Sequence, residues 1–161
     1  MKSHLSVHPV LFAVSLVLVL NGCSKKADPP IKAVATLEEV MHGMVIPNAE
    51  VVWGAVGTIY TVDGVEERQP KSEDEWLAVE ASATTLTEAG NLLMMEGRAK
   101  DTGRWIERSR ALREAGDSVR LAAKKHDVAA LFERGGYLFD ACQACHFDYR
   151  FEKDPKTIRT H

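Results

Sequence analysis

Three residues near the end of the chain carry the chemistry, in the run Cys142-Gln143-Ala144-Cys145-His146. Two thiols three residues apart on a helical turn can add to the two vinyl groups of one porphyrin. The histidine that follows is then held beside the iron as its proximal ligand. This spacing is the c-type haem attachment pattern. Other chemistry uses the same pair. A thioredoxin-like redox couple has this spacing, but it opens a helix after a strand, and no βαβ pattern surrounds residue 142. Half of a zinc site would need His126 or His161 to complete it, because the sequence holds no second cysteine pair. A structural disulfide is the remaining alternative.

The segments that must position these residues read as helices. Thr36 and Glu39 have the capping-box spacing, in which hydroxyl and carboxylate satisfy each other's free backbone N–H groups. Leu37, Val40, Met41, Met44 and Val45 then share one face, and the face resumes through Ala49, Val52, Trp53 and Val56. Pro47 lacks an N–H and crowds the preceding turn, so this helix should kink or break there. Residues 57–71 form a connection. Asp63-Gly64 between β-branched runs suits a small hairpin, with an irregular loop as the alternative. Ser72 and Glu75 repeat the capping box, and Trp76, Val79, Ala83, Leu86, Gly90, Leu93 and Gly97 make a second stripe. Asp101 or Thr102 can cap a third helix, with Trp105, Ser109, Leu112, Gly116, Val119 and Ala123 in the same rhythm. That helix should end at the cations Lys124, Lys125 and His126. Asp127 can cap the fourth, whose expected face is Val128, Leu131, Phe132, Gly135, Leu138, Cys142 and Cys145. Four amphipathic helices with mostly short connections predict an all-α, antiparallel four-helix bundle. The helical glycines fit backbone approach either to a bulky tetrapyrrole or to a neighbouring helix.

The first residues have a different character. Lys2 is followed by the apolar run Val10 to Leu20, broken only by Ser15, and then by Asn21, Gly22 and Cys23. A basic start, a short apolar core and small residues predict a secretory signal over residues 1–22. Leu20-Asn21-Gly22-Cys23 resembles the lipobox of bacterial lipoproteins, in which the cysteine receives lipid on its sulfur and amino group. Several acyl chains give stable anchoring where one does not. Residues 23–32 are polar and carry Pro29 and Pro30, as a tether should. Ser24 follows the cysteine where inner-membrane retention favours Asp, so an outer-membrane destination on the periplasmic side is expected. The three cysteines then divide into Cys23 for lipid and one pair for haem. Removing residues 1–22 takes away Lys2 and no acid, which moves the net charge from −3 to −4. Nucleic acid is excluded as a partner on that ground.

The run from Cys142 to His146, continued by Phe147-Asp148-Tyr149-Arg150, resembles the end of the last helix in the cytochrome c′ family. There the attachment motif lies near the C-terminus, and an aromatic and an arginine follow at the offsets of Tyr149 and Arg150. The resemblance covers about residues 33–152, and the motif is its specific part; residues 153–161 read as a polar tail. It implies one covalently bound haem c between the helices, with a residue of the first helix facing the open side of the iron. A methionine there completes six ligands, whereas leucine or phenylalanine leaves five. Met41 is the expected ligand because it lies a turn before Pro47, and Met44 is the alternative. Both could equally be core filler. Met94, Met95 and His42 are weaker candidates. Arg150 could pair with a haem propionate, since a guanidinium suits a carboxylate fork. Trp53 and Trp76 could pack on the porphyrin or simply in the core.

These readings predict a one-electron carrier that meets redox partner proteins at a membrane held through Cys23, and not an enzyme. If neither methionine binds, the expectation becomes a five-coordinate haem protein taking NO or CO. An interaction lipoprotein with a structural cysteine pair is the third possibility. Family members often dimerise through their first two helices, so a homodimer is compatible with the resemblance.

Overall fold

The computed structural model describes residues 31–151. The expected signal segment 1–22, the lipidation residue Cys23, most of the 23–32 tether and the 153–161 tail lie outside the described residues. The described chain is mostly helical. Its order is α1 (Leu37–Val40), a π-helical turn (Met41–Val45), α2 (Ile46–Ala55), strands β1 (Gly57–Thr61) and β2 (Gly64–Arg68), α3 (Glu73–Leu93), α4 (Arg104–Lys124), α5 (Val128–His146) and a second π-helical turn (Phe147–Phe151). Among the described residues no helix is long and apolar enough to cross a membrane.

Both capping boxes form. Thr36 and Ser72 each accept from the backbone N–H three residues on, and Glu39 and Glu75 reach back to the cap N–H groups. Bonds from the backbone N–H groups of Lys71 and then Ser72 hold the Glu75 carboxyl below its ordinary value. A depressed carboxyl contributes stability above the unfolded value of 4.5, lost as pH falls through the folded value. Glu75→Gln should therefore melt below the wild type at neutral pH. The gap in Tm should close as the pH falls below 4.5, which thermal melts at several pH values check.

The passage through Pro47 is not the break that the sequence allowed. The helix continues, and the adjustment lies just before the proline. Ile46 donates to Met41 O, five residues back, and Pro47, which has no N–H to donate, follows directly at the start of α2. The side-chain amide of Asn48 donates to Met44 O at 2.7 Å, which satisfies a carbonyl of the widened turn. Residues 57–68 make the hairpin. Thr61 pairs with Gly64, so Val62 and Asp63 form the two-residue loop and Gly64 opens β2.

Helices α3 and α4 run in opposite directions, since Gly90 meets Ser109 and Arg113 while Gly116 meets Leu86 and Thr87. These two glycines serve helix packing, which decides between the readings that the sequence left open for them. A Cβ on Gly90 would lie 2.8 Å from Ser109 O and from Arg113 N and Cβ. Gly97 lies beyond the end of α3, in a turn at φ 82°. A Cβ on Gly136 meets nothing within 4 Å. Gly90→Ala should thus lose about 1–3 kcal/mol through forced separation of the helices. Gly136→Ala should gain roughly 0.5–1 kcal/mol from helix propensity alone. Chemical denaturation of both variants checks the opposite signs.

The core is continuous along these helices, with Val40, Val52, Leu86, Leu93, Trp105, Val119, Leu131 and Leu138 among its buried members. Trp105 is fully buried, yet its indole N–H finds Leu93 O at 2.7 Å. Gly103 occupies the cap position of α4, and Asp101 Oδ1 supplies the cap by accepting from the N–H groups of Gly103 and Trp105. At its other end α4 closes on His126, which adopts the left-handed region at φ 52°, with Asp127 N–H donating to Ala122 O. The His126 ring stacks on Trp76 at 4.8 Å. Phe132 departs from the expected face of the last helix and is 66% exposed, because the buried row runs Leu131, Gly135, Leu138.

Candidate haem site

A cavity of about 710 Å³ lies between the first helical segments and the end of α5. That volume is within the roughly 300–1,000 Å³ range of pockets that hold small molecules and cofactors. Cys142, Cys145 and His146 line one side, with Tyr149 and Arg150 beyond them. Met41, Val45, Ala49 and Trp53 line the other, and Leu93, Trp105 and Leu112 close the interior.

The widened turn explains how one helix keeps so long a row on the cavity. In a regular α-helix each step of four residues drifts by about 40° around the axis. Leu37, Met41, Val45, Ala49 and Trp53 are four apart, and a regular helix would carry the end of the row off the cavity. The π-helical turn at Met41–Val45 adds backbone to one turn and takes back part of the drift. Trp53 then bridges the two walls. Its indole N–H donates to Gly135 O at 3.0 Å, and its ring meets Phe139 edge-on at 5.9 Å.

The cysteines are separate thiols, both partly buried. Burial, and then the neighbouring Cys145, push the Cys142 thiol up to about 11. Burial also raises Cys145, against the opposing charge of Arg108. A thioredoxin-like pair needs the opposite, a lowered thiol at the start of a helix; here the pair lies in the last turn of a helix. Among the described residues no three His, Cys, Asp or Glu side chains gather as a metal cluster. His126, the described candidate for completing a zinc site, is engaged with Trp76 instead. Burial, followed by the charge of Arg150, lowers His146 below the ordinary imidazole value. The neutral ring, which is the form that binds metals, is favoured at physiological pH.

The two methionine candidates separate. Both pack against the core, but Met41 also lines the cavity and Met44 does not. His42, expected off the apolar face, is exposed and reaches the cavity rim. Trp53 takes part in the wall, and Trp76 does not. Arg150 reaches the lining as an exposed side chain.

One residue of the wall has no prominence in the sequence. Arg108, on α4, lines the cavity, and its Nε donates to Asp148 Oδ2 at 2.7 Å. Asp148 also lies 3.6 Å from Arg104. Next to it, Tyr149 donates its phenolic proton to Asp101, and its ring meets Trp105 edge-on at 4.9 Å. Burial and the Asp101 bond push this phenol up to about 12, so it remains a donor. These contacts pin the turn after His146 to the start of α4. An arginine one helical turn into a charged helix resembles its solvated neighbours until Asp148, 40 residues later, is seen beside it. No family model, curated protein or solved structure matches the chain.

Proposed function

We propose that this chain is a monohaem c-type cytochrome, an antiparallel four-helix bundle of the cytochrome c′ kind, that carries single electrons on the periplasmic side of a bacterial membrane. The reading rests on one observation. The cavity has the attachment motif on one wall and the thioether of Met41 on the other, in mostly apolar surroundings. In this reading Cys142 and Cys145 hold haem c covalently, and His146 and Met41 are the iron ligands. Bound haem supplies a one-electron couple. The chain's own part is to fix two ligands on two elements, exclude water and favour the neutral form of His146. A soft thioether favours the reduced iron and raises the potential. Lipid on Cys23 would confine the protein to a membrane surface, the outer membrane by preference, where redox proteins are its partners.

Visible spectra of the purified full chain test the proposal, taken oxidised, reduced, and reduced under CO. The expected result is a low-spin reduced spectrum that CO leaves unchanged. A high-spin spectrum that shifts with CO would make NO or CO binding the function instead. A protein without covalent haem would leave the structural cysteine pair as the surviving reading.

A further inference from the structure

The cavity separates charge by wall. The acids on its lining, Glu38 and Glu50, are exposed residues of α1 and α2. The cations Arg108 and Arg150 stand on the opposite side, on α4 and on the turn after α5. A ligand with an anionic edge is therefore drawn to the side of α4 and α5. Arg150 is exposed, whereas the Arg108 side chain is 29% exposed and is fixed by Asp148, itself only 9% exposed. The bond to Asp148 uses Nε–H, one of the five donors of a guanidinium. The two terminal amino groups are a planar pair suited to one carboxylate. Arg104, 61% exposed, shares Asp148, and Glu107 also acts on Arg108.

We propose that Arg108 is the carboxylate-receiving residue of this cavity, aimed by Asp148, and that it takes one propionate of the bound haem. This rests on the haem reading given above. Pre-orientation is the reason: the bond to Asp148 has already fixed the Arg108 side chain, so it loses little freedom on binding.

Resonance Raman spectra of the haem-loaded full chain test it through the propionate bending band, which rises in frequency with hydrogen bonding to the carboxylate. The expected result is a downshift in Arg108→Gln, a smaller one in Arg108→Lys, and no shift in Arg104→Gln. An unshifted band in Arg108→Gln, or a shift produced by Arg150→Gln instead, overturns the proposal. If Arg108→Gln does not accumulate as folded protein, Arg108→Lys decides alone, because it keeps the charge beside Asp148 but loses the fork. An unshifted band in that variant is again the overturning result. Haem staining of the denatured proteins separates the two levels. Covalent haem in every variant with no band shift refutes the role of Arg108 and leaves the cytochrome reading intact. A wild type without covalent haem refutes both.

Discussion

Met41→Ala should turn a reduced protein that ignores CO into one that binds it, and Met44→Ala should not. Met41 lines the cavity opposite the motif, and Met44, three residues on, does not. In a regular helix residues three apart lie on nearly the same face, so the sequence offered both thioethers, with Met41 preferred for its distance from Pro47. The widened turn at Met41–Val45 parts them. On the proposed reading, iron held by His146 alone would then have an open position. The midpoint potential should fall by roughly 0.1 V or more, since axial-ligand choice spans about 0.8 V across haem proteins. Spectra under CO and a potentiometric titration measure both effects. A Met41→Ala protein with the wild-type spectrum would demote Met41 to packing, and a change in Met44→Ala alone would reverse the assignment.

Local signals in the sequence carried much of the fold. The boxes at Thr36/Glu39 and Ser72/Glu75 lie within four residues of themselves, so nothing distant can alter them much. The 3–4 stripes of α3 and α4 came through because each faces one buried side, with Trp76, Leu86, Trp105 and Val119 all in the core. The rest depended on what another helix brings. Gly90 and Gly116 look alike in sequence whether they face a cofactor or a helix; only the atoms of Ser109, Arg113 and Thr87 decide. Pro47 announced a disturbance but not its form, because the freed backbone can be accommodated by a break, a kink or a wider turn. The site divides in the same way. Cys142, Cys145 and His146 are legible because their spacing is that of the c-type attachment pattern. The cavity in front of them and the ion pair of Arg108 with Asp148 join segments far apart in sequence.

The double variant Cys142→Ala/Cys145→Ala should lose covalent haem entirely and, with it, the order of α1 and α2. The reason lies in what joins the two walls. Helices α3 and α4 interlock directly at Gly90 and Gly116. The walls of the cavity have a different construction, in which Trp53 reaches across to Gly135 and Phe139 at one end. Between Trp53 and Leu37 the row Met41, Val45 and Ala49 faces cavity space. A group attached to α5 would fill the space in front of that row, and its removal leaves the contacts on that side unmade. The expected loss is about 3 kcal/mol or more, the scale of emptying one large core position. It should be uneven. Hydrogen exchange should accelerate in residues 37–55 well before α3 and α4, because local opening follows the elements with fewest buried contacts. Uniform loss of protection would mean that the cavity is not what holds α1 and α2. Unchanged protection would mean that these helices are stable on α3 alone, and that the cavity is a preformed receptacle instead of a core completed by its contents.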